Sequence, residues 1–157
     1  MQENLEEKSN DDTILPVTSQ RIRKSLQRLD YQYFVNENGC FCTFWNSDKI
    51  IFIYTMPEYI NIRSTYIRKA CMDFANPFKS ISDSINLSYM EVKTFITSDD
   101  NGQNAFHIEN TLDVTCGLND KQLDSFIALS FRCILDIWTH IDESFPDPLL
   151  VSDGEIK

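Results

Sequence analysis

Residues 38–55 of the chain, NGCFCTFWNSDKIIFIYT, predict a β-hairpin at the centre of the fold. The Asn-Gly pair at their start is a strong turn signal, because both residue types accept positive φ angles. Residues 40–45 then predict one strand, and residues 49–55, rich in β-branched and aromatic side chains, predict the next. Since consecutive strands joined by a short turn run in opposite directions, the stretch indicates an antiparallel sheet.

Helices and further strands flank this hairpin. Before it we expect a helix capped by Thr18 and ending near Asp30, then a short strand at residues 31–35. After it the patterns predict a helix at residues 62–75, strands at 89–97 and 105–114, and a long helix from about Asn119 to Ser144. Because a proline disfavours helical geometry in the residue before it, Pro77 is expected to end the second helix, with residues 78–87 as a connection.

The predicted order α-β-β-β-α-β-β-α indicates an α+β fold, a two-layer sandwich in which helices cover an antiparallel five-stranded sheet. We place this domain at residues 16–146. A disordered acidic tail is expected at residues 1–15 and a flexible C-terminal tail at residues 147–157. The 157 residues, 42% of them hydrophobic, suffice for one domain with one core.

The net charge of −10 restricts the partners of the protein. Binding to a phosphate backbone requires clustered lysine and arginine side chains, so the acidic composition argues against nucleic acid. The N-terminus is charged and lacks the apolar core of a signal peptide, and the apolar run at residues 49–56 is too short to cross a membrane. We therefore expect a cytoplasmic protein without a membrane partner.

Cys40 and Cys42 lie two residues apart, which places both side chains on one face of a strand. Such a pair can hold a metal, form a redox couple, or consist of two small apolar side chains. A zinc site needs about four ligands in two clusters, and the chain offers no second cysteine pair and only His107 and His140. Buried free thiols in a reducing compartment are the favoured interpretation, and no cofactor or metal is predicted.

The remaining polar motifs are weak signals for chemistry. His107 is expected on the strand face opposite Phe106, where a solvated or ion-paired histidine is favoured over a general base. No nucleophile motif accompanies it, so no catalytic residue is predicted. Asp99, Asp100 and Asn101 lack the twelve-residue calcium pattern and predict a turn.

Arg21, Lys24 and Arg28 form a basic stripe on the first helix. A solvated helix face is the favoured interpretation of such a stripe. The alternative is that it binds an acidic segment, such as the N-terminal tail of the chain itself.

The element order and several motifs resemble the YbjN family of bacterial proteins, whose domain is grouped with type III secretion chaperones. The resemblance covers about residues 18–146 and rests on four motifs: TSQRIRKSLQRLDY at 18–31, the Asn-Gly turn leading to Trp45, PFK at 77–79, and GLNDKQL at 117–123 with the later Phe-Pro at 145–146. It implies a small cytoplasmic domain without established enzyme activity. Relatives are regarded as sensory or stress regulators, or compared with chaperones that hold an extended segment of a partner.

The central hairpin is apolar on both faces, which a sheet covered on one side by helices does not require. Alternation places Cys40, Cys42 and Phe44 on one face of the first strand and Phe41 and Trp45 on the other; in the next strand Ile51 and Ile53 oppose Ile50, Phe52 and Tyr54. Exposing these side chains together would leave a larger apolar patch than monomers usually tolerate. Either a helix covers the second face, or that face is an interface with a second subunit or a client segment. We predict a partner or dimer surface formed by Phe41, Trp45, Phe52 and Tyr54.

These observations favour a non-enzymatic protein-binding module. We expect a chaperone-like or regulatory adaptor, a homodimer, that holds a partner segment on an apolar surface. The alternative is a sensor domain that responds to a small molecule or a metal and regulates a partner. An enzyme is not expected, because a nucleophile, a base and an orienting group do not occur together.

Overall fold

The computed structural model describes residues 12–45, 49–66 and 75–144, which form three helices and six strands. In chain order they are α1 (Ser19–Arg28), β1 (Phe34–Val35), β2 (Phe41–Trp45), β3 (Lys49–Thr55), β4 (Tyr59–Tyr66), α2 (Ala75–Ser88), β5 (Lys93–Ser98), β6 (Asn104–Asp113) and α3 (Asp120–Ser144). The predicted first and last helices are confirmed. The Thr18 hydroxyl accepts a hydrogen bond from the Arg21 N–H at the start of α1. Asn119 and Gln122 exchange the two capping-box bonds at the start of α3.

The six strands form one sheet in the order β1-β2-β3-β4-β6-β5, and every neighbouring pair is antiparallel. The described helices pack against one face of it. Phe78 of α2 and Trp138 of α3 both contact Phe106 of β6, and α1 joins α3 through ion pairs. The predicted α+β two-layer architecture is confirmed, with six strands in the sheet rather than five.

The additional strand is β4, so the predicted helix at residues 62–75 is wrong over residues 62–66. Residues 67–74 of that prediction lie outside the described part of the chain. Ile60, Ile62 and Ser64 are fully buried at alternate positions, and β4 pairs with β3 on one edge and β6 on the other. Over so few residues the apolar spacing fits a helix as well as a strand, and pairing on both edges selects the strand.

The second helix occupies Ala75–Ser88, where the sequence predicted a helix end and a connection. Pro77 lies in the first turn of α2, where main-chain N–H groups have no partner within the helix, so its ring removes no hydrogen bond. Phe78, Ser82 and Ile85 are buried at helical spacing. The prediction that Pro77 ends a helix is therefore wrong, because this proline stands at the start of one.

Helix α3 supplies much of the core. Its 25 residues correspond to a length of about 37 Å, enough to cross the sheet. Trp138 is 1% exposed, and its indole N–H donates a hydrogen bond to the Ser64 hydroxyl at 2.9 Å. That hydroxyl donates in turn to the Ile50 carbonyl at 2.8 Å, so the one polar group of the indole is satisfied inside the core.

Strand β5 forms one edge of the sheet, and α2 closes part of that edge. The side-chain oxygen of Asn86 accepts a hydrogen bond from the Thr94 main-chain N–H at 2.8 Å, and its amide nitrogen donates to the Thr94 carbonyl at 2.9 Å. A neighbouring strand residue would make the same two bonds. Asn86 therefore substitutes for one residue of an absent strand and protects the edge at Thr94.

The chain before α1 is attached to the loop before α3. Leu15 and Leu118 exchange two main-chain hydrogen bonds of 3.1 and 3.0 Å, so the ordered domain includes Leu15, the last residue of the predicted acidic tail. Residues 1–11 of that tail, and the whole predicted C-terminal tail, lie outside the described residues. Among the described helices, none combines the length and the apolar character that crossing a bilayer requires.

Candidate functional site

The pairing register of β2 and β3 decides which side chains face the helices. Phe41 lies opposite Ile53, and Cys42 lies opposite Phe52. Residues opposite each other in an antiparallel pair point to the same face, and successive residues alternate between faces. Ile53 is 1% exposed in the core beneath the helices, so Phe41 shares that side. The even-numbered residues of both strands point to the opposite side, which we call the open face.

Five apolar side chains of β1, β2 and β3 form the aromatic patch of the open face: Phe34, Phe44, Ile50, Phe52 and Tyr54. Phe34 and Phe44 stack with ring centroids 5.2 Å apart, and Phe52 and Tyr54 stack at 6.0 Å. Phe34 is 43% and Phe44 is 56% exposed, and the other three are half-buried. No described helix packs on this patch, and contiguous exposed apolar side chains of this kind mark interaction surfaces.

The four residues predicted to form one partner surface lie on opposite faces of the sheet. Phe41 is 2% exposed, and Trp45 contacts the Phe131 ring of α3 edge-on, so both lie on the side of the helices. Phe52 and Tyr54 lie on the open face. Of the four predicted residues, Phe52 and Tyr54 therefore stay on one surface, which they share with Phe34 of β1 and Phe44 of β2. Contact of either group with a partner stays a prediction.

The part of the open face formed by β4, β5 and β6 is polar. Arg63 Nη2 lies 2.6 Å from Glu109 Oε2, and the guanidinium stands 5.4 Å from the centroid of the Phe95 ring. Asn61 donates hydrogen bonds to the Thr111 hydroxyl at 2.6 Å and to Glu109 at 3.3 Å. Because these groups satisfy one another, this region presents few unpaired polar atoms to a ligand.

His107 lies in the same polar region between two threonines. Its Nδ1 is 2.9 Å from the Thr65 hydroxyl and its Nε2 is 2.8 Å from the Thr97 hydroxyl. Burial lowers the pKa of His107, the Arg63 charge lowers it further, and the Glu109 charge partly opposes both effects. A hydroxyl beside an imidazole resembles an activated nucleophile, but among the described residues no carboxylate is hydrogen-bonded to the ring to orient it. The neutral imidazole instead joins β4 to β5 through the two hydroxyls.

Cys40 and Cys42 are 7% and 1% exposed on the side of the open face. The Cys40 thiol donates to the Ile53 carbonyl at 3.2 Å, and burial raises the pKa of Cys40 to about 11. Burial also raises the pKa of Cys42. Thiols held in the protonated form are poor nucleophiles and poor metal ligands. Within the described residues, no three His, Cys, Asp or Glu side chains are grouped to hold a metal, and Cys71 lies outside them.

The basic stripe of α1 pairs with carboxylates at the start of α3. Arg21 lies 2.6 Å from Asp120, and Arg28 makes two hydrogen bonds of 2.7 Å with Asp124. The hydrogen bond from Arg21 lowers the pKa of Asp120. Arg21 and Arg28 therefore join α1 to α3 within the same domain, which is neither a solvated helix face nor contact with an acidic segment outside the domain. Lys24 is exposed.

Comparisons with known proteins identify the fold. A scan against models of known protein families matches none, and a search of curated proteins also yields no match. Among solved structures, YbjN from E. coli, described as a candidate transcription regulator, superposes with a TM-score of 0.74 at 16% identity. That match covers 84% of this chain and 96% of YbjN. The chain therefore has the fold of YbjN, as the sequence motifs had indicated.

Two further solved structures are similar over most of this chain. An uncharacterised protein from Methanothermobacter thermautotrophicus has a TM-score of 0.52 at 18% identity, covering 82% of this chain and 99% of that protein. The Yersinia pestis type III secretion chaperone SycH, solved with a fragment of YscM2, has a TM-score of 0.46 at 9% identity, covering 77% and 97%.

Proposed function

We propose that this protein is a protein-binding module, a chaperone-like or regulatory adaptor that holds a partner protein on the aromatic patch of the open face. The exposed aromatic patch is the observation that carries the proposal. Phe34 and Phe44 stack on each other and are its most exposed side chains, at 43% and 56%. Covering them would remove about 200 Å² of apolar surface from water, worth about 5 kcal/mol before the costs of association.

A second copy of the chain is the partner we expect first. A two-fold symmetric contact places the same patch on both subunits, so an apolar surface that is complementary to itself is sufficient. A homodimer formed in this way would cover the patch in the absence of a client. A client segment with apolar side chains would then compete with the second subunit for the same surface.

The chemistry of the described residues supports a binding role rather than catalysis. The buried thiols stay protonated, and both ring nitrogens of His107 are bonded to threonine hydroxyls. The fold shared with YbjN, a candidate transcription regulator, supports a regulatory role. A regulatory adaptor needs a surface for its partner and no reactive group.

The proposal is tested by Phe44→Glu, with Ile14→Glu as the matched control because Ile14 is a similarly exposed apolar side chain, at 50% against 56%. Native mass spectrometry and sedimentation equilibrium give the subunit count of each variant. We expect dimers for the wild-type protein and Ile14→Glu, and monomers for Phe44→Glu, since a buried carboxylate without a partner is strongly disfavoured at an apolar interface. Circular dichroism establishes that both variants are folded.

A client is detected by a photo-reactive benzoylphenylalanine at position 44. Cross-linking in expressing cells followed by mass spectrometry should identify a second polypeptide attached at this position, and not at position 14. The proposal is contradicted if Phe44→Glu leaves the subunit count unchanged and position 44 yields no more cross-linked polypeptide than position 14. A monomer that retains a metal or small molecule in the native spectrum would favour a sensor domain instead.

A further inference from the structure

An open groove of about 880 Å³ lies away from the aromatic patch, between the α2–β5 connection, the second half of β6 and the first half of α3. Leu112, Phe126 and Leu129 line it. Leu87 and Met90 stand at its mouth and are 90% and 97% exposed. Apolar side chains that are this exposed contribute almost nothing to the core, so folding alone gives no reason for two of them at one groove.

One main-chain segment of β6 borders this groove and, among the described strands, has no neighbour on the side of the groove. Strand β5 pairs with residues 104–109 of β6, whereas β4 pairs with residues 107–113. The last residues of β6 are therefore paired on one edge only. Thr111 belongs to this segment and lines the groove.

The alternation of the ladder gives the direction of the Thr111 main chain. The Val114 N–H bonds to Glu58 on the β4 side, and the Asp99 N–H bonds to Gln103 across the β5–β6 turn. Even-numbered residues of β6 thus direct their main-chain groups toward β4, and odd-numbered residues direct theirs toward β5. The Thr111 N–H and C=O consequently point away from β4, beyond the end of β5, and nothing within residues 12–45, 49–66 and 75–144 is hydrogen-bonded to them.

We propose that this groove binds an extended peptide segment of another protein as a short added strand. A paired main-chain donor and acceptor on a strand edge match a polypeptide backbone, and alternate side chains of an added strand point to opposite sides. One set would contact the apolar wall formed by Leu112, Phe126 and Leu129, and the other set would face solvent. The chain has a net charge of −10, and the groove is lined by two carboxylates, Glu91 and Glu109, against one ammonium group, Lys93. This balance favours lysine or arginine in the solvent-facing set. This site is independent of the aromatic patch.

The first test uses a fluorescein-labelled ten-residue peptide of alternating valine and lysine, titrated with the full chain and followed by fluorescence anisotropy. Two further peptides carry N-methyl groups on all the valines or on all the lysines. Only one of these two sets directs its N–H groups to the protein edge, so we expect about tenfold weaker binding for one methylated peptide and nearly unchanged binding for the other. Amide hydrogen exchange at Thr111 should slow when the unmethylated peptide binds.

The second test changes the protein edge. Thr111→Pro removes the free N–H, which a strand tolerates where that group has no partner, and Thr111→Val keeps the main chain while removing the hydroxyl. We expect about tenfold weaker binding for Thr111→Pro and a change within about twofold for Thr111→Val. Leu87→Lys with Met90→Lys, at two fully exposed positions, should also weaken binding without affecting folding. Phe44→Glu should leave peptide affinity unchanged, which separates this site from the proposed function.

Five results would overturn the proposal. The first is that the wild-type chain does not bind the peptide, and the second is that both methylated peptides bind equally well. The third is that binding is lost in Phe44→Glu but kept in the Leu87→Lys/Met90→Lys variant, which would assign the peptide to the aromatic patch. The fourth is that a chain ending at Ser144 binds the peptide when the full chain does not, which would make residues 145–157 the occupant. The fifth is that the groove variants change the subunit count without any peptide binding, which would make the groove an interface between copies.

Discussion

Asn86→Ala tests how α2 protects the edge of the sheet. In the structure the Asn86 amide exchanges two hydrogen bonds with the main chain of Thr94, at 2.8 and 2.9 Å. The Thr94 hydroxyl adds a third contact to the Asn86 oxygen at 3.2 Å. Alanine removes the amide, so a main-chain N–H and C=O on β5 lose their partner. The sequence indicates no role for this asparagine, because its patterns predict a connection over residues 78–87.

The size of the effect follows from the burial of the two residues. A net hydrogen bond contributes about 0.5–1.5 kcal/mol, so two contribute about 1–3 kcal/mol. Thr94 is 2% exposed, but Asn86 is exposed, and water can therefore replace part of what the amide provides. The higher helix propensity of alanine returns about 0.5 kcal/mol. We expect Asn86→Ala to lower the free energy of unfolding by about 1–2 kcal/mol.

Urea unfolding followed by circular dichroism at 222 nm measures this change as a shift of the midpoint, about 0.5–1 M for a domain of this size, with an unchanged slope. Asp83→Ala, an exposed change on the same helix, is the control and should stay within about 0.5 kcal/mol of the wild type. Sedimentation should also show stronger self-association of Asn86→Ala, since an unprotected edge pairs with other strands. Equal midpoints for Asn86→Ala and Asp83→Ala would refute the role assigned to the amide.

Three further predictions concern other parts of the domain. Because burial lowers the pKa of His107 below its ordinary value of 6.5, the folded state binds fewer protons than the unfolded state below that pH. The contribution of His107 to the free energy of unfolding is therefore fully present above pH 6.5 and is lost as the pH falls toward the lowered pKa. In urea titrations at several pH values, the free energy of unfolding should depend less steeply on pH in His107→Gln than in the wild type. The Cys40 thiol, with a pKa of about 11, should react with iodoacetamide at least about tenfold more slowly than the exposed Cys116. In concentrated guanidinium the two thiols should react at similar rates, and peptide mass mapping measures both. Gly117→Ala should lower the free energy of unfolding by at least about 2 kcal/mol, because φ is +75° and the new Cβ would stand 2.6 Å from the Leu15 main-chain oxygen. Gly39→Ala, at φ +76° with open space around the new Cβ, should lower it by only about 1 kcal/mol in the same denaturation assay.

Local signals in the sequence were sufficient for the elements whose start, period and end agree. The Thr18 cap, the capping box at Asn119 and the Asn-Gly turn each satisfy main-chain groups within a few residues, so their effect does not depend on the rest of the fold. The same signals were insufficient for residues 62–66 and for α2. Five residues do not separate the period of a strand from that of a helix, and Pro77 is compatible with the first turn of a helix as well as with the stretch after its end.

The candidate site shows the same division. Alternation along β2 and β3 predicted that each strand has two apolar faces, and this much requires only the chain itself. Pairing the predicted strand ends, Trp45 with Lys49, would also have placed Phe41 and Phe52 on different faces, since opposite residues share a face. Sequence could not say which of these faces the helices cover.

The sequence by itself therefore determined the two-layer α+β class, the central hairpin and the presence of excess apolar surface. The tertiary structure decided that α1, α2 and α3 lie on the face of Phe41, which leaves the aromatic patch open. It also decided that β6 extends beyond the residues that pair with β5, which leaves the Thr111 main chain at the edge of a groove. The physical reason is that turn chemistry and periodicity act between residues close in the chain. Which face is buried and which edge stays unpaired depend on contacts between segments that are far apart in the sequence.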